Sequence, residues 1–267
     1  MTLLKILITR RDLVANLVSR ELKSKYKGSF LGILWSLINP LFMALVYVFF
    51  LSLLARGVPL SQILIGVFAW QFTTGSVQGG MAAITGNSNL VKKVFFPRVI
   101  LPLSVTLANL VNYLLSLLIQ FPLVAYFLYL GGEAGGFSKW LWLLPVMILY
   151  QTLFNAALAF LLSSANVFFR DTQHLIGVTM SAWFFLSPVM YNIELVQEFA
   201  KDSPWLLNGY LLNPLAVIME GYRAIILSSV SFPLNTYSMI GLVWPLILLV
   251  VAYTLFQKSQ KNFSDML

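Results

Sequence analysis

The chain has 267 residues, 59% of them hydrophobic and only 10% charged, with a mean hydropathy of +0.85. A soluble domain averages about 45–50% apolar and about 25% charged residues, so a soluble enzyme, a nucleic-acid-binding domain and a disordered linker are excluded as the main reading. The net charge of +8, from 17 Lys+Arg against 9 Asp+Glu, is of the kind that gathers in the cytoplasmic loops of a polytopic membrane protein, and it needs no nucleic acid to explain it.

Seven basic residues, Lys5, Arg10, Arg11, Arg20, Lys23, Lys25 and Lys27, crowd residues 1–30. Leu13, Val14, Leu17 and Val18 repeat among them at helical spacing. The pattern predicts an amphipathic helix lying on the membrane surface; a solvated basic helix is the alternative reading. The segment is too basic and too long for the n-region of a signal peptide, and no small-residue cleavage site follows it. Apolar runs then cover about 31–55, 62–85, 99–130, 140–167, 173–191 and 236–257. Most reach the ~20 residues that a spanning helix needs, with the fifth near the lower limit. The third overshoots a ~30 Å hydrocarbon core, so it is expected to tilt or project, with Pro102 and Pro122 available to kink it. The expected fold is an all-α polytopic membrane protein, a single transmembrane domain over 1–267 with six transmembrane helices.

With both termini inside, the segments 1–30, 86–98, 168–172 and 258–267 carry seven, three, one and two basic residues, against Arg56, Lys139, Lys201 and Arg223 outside. This asymmetry predicts cytoplasmic termini. The outer stretch 192–235 is too short to cross twice, yet it is apolar from Leu215 to Leu227 and punctuated by Pro204, Pro214 and Pro233. A short re-entrant hairpin before the last span fits it, as does a plain extracellular loop.

Several chemistries are missing. There is no cysteine and a single histidine, His174, so disulfides, thiol catalysis and the familiar zinc motifs are excluded, and no metal site is expected. No G-x-x-x-x-G-K-[ST] is present, so the chain cannot itself cradle ATP phosphates in a P-loop. Acidic residues are nearly absent from the apolar runs, where an ion-coupled transporter usually carries its proton or sodium sites. Glu220, three residues before Arg223, reads either as half of a local helical ion pair or as a polar element of an outer gate. A membrane-embedded glycosyl- or acyltransferase should display paired carboxylates or an acid–base residue, and neither stands out. A self-sufficient channel or secondary transporter is disfavoured by the lack of intramembrane charge and of an evident inverted repeat. A membrane protein with no energy source of its own is a channel, a structural subunit, or one subunit of a machine powered elsewhere, and its cytoplasmic segments favour the last. The stretch Gly86–Pro97 carries adjacent cations and then Phe95 and Phe96. Such aromatics at a turn call for cover, either by a partner or by the protein's own N-terminal helix.

The string from Arg20 to Pro40, RELKSKYKGSFLGILWSLINP, resembles the opening signature of the ABC-2 type exporter permeases, and within them the polysaccharide and polyol-phosphate exporter group that serves O-antigen, capsule and teichoic acid export. Leu90–Arg98 (LVKKVFFPR), Asn166–Asp171 (NVFFRD), Asn213-Pro214 with Tyr222-Arg223, and Phe256–Phe263 (FQKSQKNF) are similar to further segments of that group, in the same order and over nearly the whole chain. The resemblance implies a transport subunit and not an enzyme: a homodimer of six-span chains in the bacterial cell (inner) membrane. Each dimer pairs with two copies of a cytoplasmic P-loop ATPase, which binds the ATP and Mg, leaving no cofactor on this chain. It also implies a short cytoplasmic coupling helix that docks on the ATPase, at Asn87, Ser88, Asn89, Leu90, Val91, Lys92, Lys93, Val94, Phe95 and Phe96. The polymer would pass on an undecaprenyl-type lipid pyrophosphate carrier. Lys23, Lys25, Tyr26 and Lys27, with Arg98 and Arg170, are candidates for the substrate entrance; attraction of the lysines to membrane lipids is the competing reading. Sugar rings pack their C–H faces on aromatics, which makes Tyr47, Trp70, Phe72, Tyr113, Trp183 and Phe184 candidates for the channel wall, against lipid contact or interfacial anchoring.

Overall fold

The structure, a computed structural model, describes residues 5, 8–25, 27–29, 31–54 and 58–267; the side chains at 33, 36, 37, 47, 48 and 51–54 fall outside that description. In hydrocarbon every backbone N–H and C=O must find its partner inside the chain. The named elements are accordingly all helical: α1 (Arg11–Lys25), α2 (Trp35–Leu54), α3 (Leu60–Ala82), α4 (Ser88–Lys93), α5 (Ile100–Tyr129), α6 (Leu144–Phe168), α7 (Thr172–Phe185), α8 (Ile193–Phe199), α9 (Pro204–Leu211), α10 (Pro214–Ile226), α11 (Thr236–Ser259) and α12 (Phe263–Met266). Among the described residues the β pairing is a single isolated antiparallel bridge, Phe137 with Leu227.

Among the described residues, three helical stretches are long and apolar enough to cross a membrane: Ile100–Tyr129, Leu141–Phe168 and Thr236–Met266. The chain is a multi-pass membrane protein. The long third run is one 30-residue helix, α5; Pro102 sits in its first turn, where its missing N–H interrupts no ladder, and Pro122 lies in its interior. α3 has 23 residues but mixes Ser61, Gln62, Gln71, Thr73, Thr74, Ser76 and Gln78 into its apolar sequence. It can carry them because it is the hub of the bundle, packed by α2, α5, α6, α7 and α10 and buried along most of its length. α7 is shorter than the apolar run 173–191: it stops at Phe185. Pro188 disfavours continuation there, and the Asn213 side chain donates to the Leu186 carbonyl at 3.0 Å, taking one of the carbonyls that end the helix.

The interior divides into two clusters. One gathers the middle and later part of the bundle, with Phe68, Phe72, Tyr113, Phe154, Met219 and Tyr222 among its residues. The other lies at the end that carries both termini and holds Val14 and Leu17 of α1, Val91 of α4, Phe160, Phe256 and Phe263. The apolar positions of the N-terminal helix are therefore turned inward, onto the start of α5. The stretch 192–235 is not a plain surface loop. It folds as α8, α9 and α10, and α10 is buried from Pro214 through Arg223 inside the first cluster. Asn213 caps α10 through Leu215 N (3.1 Å) with Pro214 at the first helical position, and Asn235 with Ser238 forms a capping box at the start of α11.

Small residues let the hub helix approach its neighbours closely. A Cβ on Gly80 of α3 would stand 2.5 Å from that of Ala159 on α6, whereas Gly86 faces open space. Gly80→Ala should therefore destabilise the inserted protein by about 1–3 kcal/mol through forced separation of the two helices. Gly86→Ala should be neutral. Denaturant-induced unfolding in mixed micelles measures both, and equal behaviour of the two variants would contradict the packing.

Candidate functional site

At the end that carries the termini, the segment expected to couple to a partner begins as a single 3-10 turn, Thr85–Asn87, and continues as the six-residue helix α4. Asn87 is tied in two directions: its Nδ2 donates to Ala83 O at 2.9 Å, and its Oδ1 accepts from Arg20 of α1 at 2.6 Å. Val91 is buried and anchors α4 to the second cluster, while α12 packs beside it. The two aromatics divide. Phe95 is fully exposed (106%), and Phe96 is partly buried against the cluster that contains Val14 and Leu17. Phe96 is thus covered by the protein's own interior, and Phe95 is left bare. Ser88 and Leu90 are half-buried, and Asn89, Lys92, Lys93 and Val94 point outward.

The basic residues named for an entrance do not form one cluster. Tyr26 lies outside the described residues, and Lys23, Lys25 and Lys27 are all exposed. Lys25 borders a cavity of about 120 Å³ between α2, α3 and α5, lined by Asn39, Gln71, Asn109, Asn112, Tyr113 and Ser116 among others. Although Lys25 is solvent-exposed, desolvation by the surrounding protein lowers its ammonium below the ordinary lysine pKa. Gly75 makes room for one wall, since a Cβ on it would meet the Asn109 Oδ1 at 2.6 Å. Arg98 is committed elsewhere: its guanidinium donates to Gln260 O and Ser264 Oγ, clamping the C-terminal turn onto the start of α5. Arg170 borders a separate cavity with Thr85, Asn166 and Gln173. His174 is exposed on α7. Among the described residues no group of acidic, His or Cys side chains could hold a metal ion.

The aromatics also separate by face. Phe72 and Tyr113 stack at 5.1 Å and 7° beside the Lys25 cavity, and Tyr113 meets Tyr222 edge-on. Trp70 and Phe184 meet edge-on at 5.4 Å and line a groove between α3 and α7 with Thr74, Gln78 and Ser181. Trp183 belongs to neither, because its indole N–H donates to Asn213 Oδ1 at 2.9 Å and its ring packs on Phe154. The Tyr47 side chain lies outside the described residues.

Glu220 and Arg223 form the helical ion pair, with Nη1 2.6 Å from Oε1 and both side chains buried (1% and 0% exposed). Arg223 also donates through Nε to Gln62 O at 3.1 Å and through Nη2 to Pro188 O. Gly66 leaves the space it needs; a Cβ there would stand 2.5 Å from Val189 O and 3.1 Å from Arg223 Nη2. Three further supports are not among the candidate site residues that the sequence singled out. Glu133 reaches across 72 residues or more to accept from the backbone N–H of Leu60 (2.6 Å) and Ser61 (3.3 Å), a carboxylate at the positive end of α3. Gln151 joins Ala69 O, Thr73 Oγ1 and Tyr222 Oη in the buried interior. Asn213 binds four groups at once. A lone Gln in an apolar run and an Asn before a Pro were the available signals.

A buried hub that locks the far end, a short helix on the termini-bearing end and polar and aromatic surfaces between them describe a membrane transport domain. The chain belongs to the ABC-2 type transporter family, which it matches over residues 13–227. It is 36% identical over 262 residues to the O-antigen export system permease protein RfbA of Myxococcus xanthus, covering 96% of this chain and 95% of that one. The O-antigen export system permease protein RfbA of Klebsiella pneumoniae is 29% identical over 261 residues, with the same shares covered.

Removing one member of a buried ion pair strands the other without solvent. Arg223→Met should lower stability by about 3–5 kcal/mol, and adding Glu220→Met should recover part of that loss. Unfolding of the three variants in micelles measures the coupling; strict additivity would show that the pair does not act as a unit.

Proposed function

We propose that the chain is the permease subunit of an ATP-driven exporter that moves lipid-linked, O-antigen-like polysaccharide across the bacterial cell (inner) membrane. Teichoic acid or capsular polymer is the sibling reading. The observation that carries the proposal is the near end-to-end similarity to O-antigen export permeases. The working form is a homodimer of six-span chains with cytoplasmic termini, joined by two P-loop ATPase subunits that hold ATP and Mg. In this reading α2, α3, α5, α6, α7 with the turn after it, and α11 are the six spans, and α10 is the re-entrant element at the outer side.

The roles follow the geometry. Phe95, bare at the end of α4, is the aromatic that an ATPase groove would bury. A displacement of α4 reaches α1 through the Asn87–Arg20 hydrogen bond, and α1 carries Lys25 at the mouth of the polar cavity. There the cation meets the carrier's pyrophosphate, and the stacked Phe72–Tyr113 pair and the Asn and Gln side chains suit a first sugar, whose C–H face packs on rings while its hydroxyls pair with amides. The α3–α7 groove, with Trp70, Phe184 and polar Thr74, Gln78 and Ser181, has the same mixed character along a candidate wall of the conduit.

The test is reconstitution with the ATPase partner in vesicles, reading ATP-dependent translocation of lipid-linked polysaccharide; no ATP-dependent movement of any such polymer would overturn the reading. Phe95→Ala should leave the chain's stability unchanged and weaken ATPase attachment by over about 1 kcal/mol, as loss of a buried interface aromatic does. Phe96→Ala should instead lower stability, by about 3 kcal/mol or less given its partial burial. Arg20→Ala should keep attachment but reduce polymer moved per ATP hydrolysed. Unchanged copurification of the Phe95 variant with its ATPase would remove Phe95 from the docking surface.

A further inference from the structure

At the far end of the bundle from the termini, a cavity of about 840 Å³ opens between the start of α6, α10 and the start of α11. Its size falls in the range of ligand pockets, about 300–1,000 Å³. Its wall is apolar: Met147, Ile225, Val230, Phe232 and Leu242. Its mouth is not. The isolated bridge between Phe137 and Leu227 forms one edge, with Ser138 opposite Ile226 and Ser228 opposite Gly136; both serines line the cavity, and Lys139 and Trp140 follow in the chain. The Lys139 ammonium stands 5.3 Å from the centre of the Trp140 ring.

We propose that this cavity seats an acyl chain of an anionic glycerophospholipid, with the lipid phosphate received by Lys139. Three observations converge on that occupant. First, the cavity continues the surface that hydrocarbon covers: on α6 and α11, Val146, Leu149, Val243 and Ile247 are exposed beside it. Trp140 is exposed at its mouth and Trp142, also exposed, packs near Trp140, the placement of aromatics at a membrane–water interface. Second, the charge is complementary. Among the described residues at this end, Arg223 is paired with Glu220 and Lys201 with Glu198 at 3.9 Å, but no carboxylate lies within ion-pair distance of Lys139. Third, the hydroxyls are poised to donate. Ser138 Oγ accepts from Trp140 N at 3.2 Å and Ser228 Oγ from Gly136 N at 2.9 Å. Neither hydroxyl gives its hydrogen to an acceptor among the described residues, which leaves both for phosphate or ester oxygens. A cation, two donors and an apolar slot fit one end and one tail of a phospholipid. They do not fit a water-soluble ligand or a protein segment, which would bring polar backbone into the slot. The occupied cavity would brace α10, whose Gly221 and Ala224 form part of the wall.

The experiment uses the full chain purified into phosphatidylcholine nanodiscs doped with phosphatidylglycerol, some of it carrying a photoactivatable acyl chain. Native mass spectrometry after release counts retained lipid, and crosslinked peptides locate it. The parent should retain phosphatidylglycerol in preference to phosphatidylcholine and crosslink at the peptides containing Met147 or Phe232. Ala224→Trp, which fills the slot, should abolish both retention and crosslink. Lys139→Gln should keep the crosslink but reduce the headgroup preference about five-fold, the share one lysine contributes near anionic lipid. The Lys139 variant leaves the apolar wall intact, so it reads the site even if the Trp variant does not insert. Crosslinking unaffected by Ala224→Trp, crosslinks elsewhere only, or equal retention of both lipids by the parent would each overturn the proposal. The readout involves no polymer and no ATPase, so it stands or falls separately from the export reading.

Discussion

A guanidinium in the apolar interior dictates more of this structure than any other group. An ion removed from water costs several kcal/mol unless a counter-charge and hydrogen bonds surround it. Arg223 meets that demand with one carboxylate, Glu220, and two carbonyls, Gln62 O and Pro188 O. The partners come from three separate places: its own helix, the first turn of α3, and the turn after α7. None can shift without stranding a charge, so the positions of α3, α7 and α10 are set together. Gly66 is part of the same constraint, because any larger residue would intrude on both the arginine and the Val189 carbonyl. The start of α3 is then held a second time from outside, by Glu133 on its free N–H groups.

With its start pinned, α3 can act as the hub even though it carries seven polar residues within 23. Polar groups are tolerated in a membrane domain where they pair across helices, and each such bond adds modestly, about 0.6 kcal/mol on average. Gln151 illustrates it by joining α3, α6 and α10 through Thr73, Ala69 and Tyr222. The termini-bearing end is built differently. There the joints are aromatic packing, Phe160 on Phe256 and Phe256 on Phe263, with one hydrogen bond from Arg20 to Asn87 and two from Arg98 to the C-terminal turn. Packing contacts slide more readily than a buried, desolvated ion pair breaks. Under the proposed function, an ATPase docking at α4 would have a compliant end to act on and a locked end to act against.

The long apolar helices and the apolar face of α1 were legible in the sequence, because periodicity and run length report burial directly; the short helix after α3 was expected from the family resemblance alone. The Glu220–Arg223 pair was legible as a spacing of three residues, but its depth was not, since spacing carries no information about what closes over it. The same limit explains the aromatics. Trp70, Phe72 and Trp183 look alike as letters in apolar runs, yet one lines a groove, one stacks beside a cavity and one spends its N–H on Asn213. Glu133 was invisible because its partners lie 72 residues or more away in the chain. Arg98 was misleading for a related reason: a basic residue beside Pro97 at an interface reads as free, and only the fold brings the C-terminal turn within its reach.

The geometry of α3 also orders the two surfaces assigned to transport. Trp70, Thr74 and Gln78 recur every fourth residue and share one face, toward α7; Phe68, Gln71, Phe72 and Gly75 share the neighbouring face, toward α5. The α5 side continues the polar character, since Asn109, Asn112, Tyr113, Ser116 and Gln120 also fall at spacings of three and four. The side chain of Gln120 is buried with neither amide atom bonded among the described residues. Such an unsatisfied amide is costly in an apolar setting. Gln120 lies one turn beyond Ser116 and is not among the residues lining the cavity. On the other face, α7 leaves Leu175, Val178 and Phe185 exposed beside the aromatic groove. In the proposed homodimer that face is the one needing cover from a second subunit. Under the proposed function, the conduit would lie on the α7 side of the hub and the carrier headgroup on the α5 side, with one helix wall between polymer and anchor.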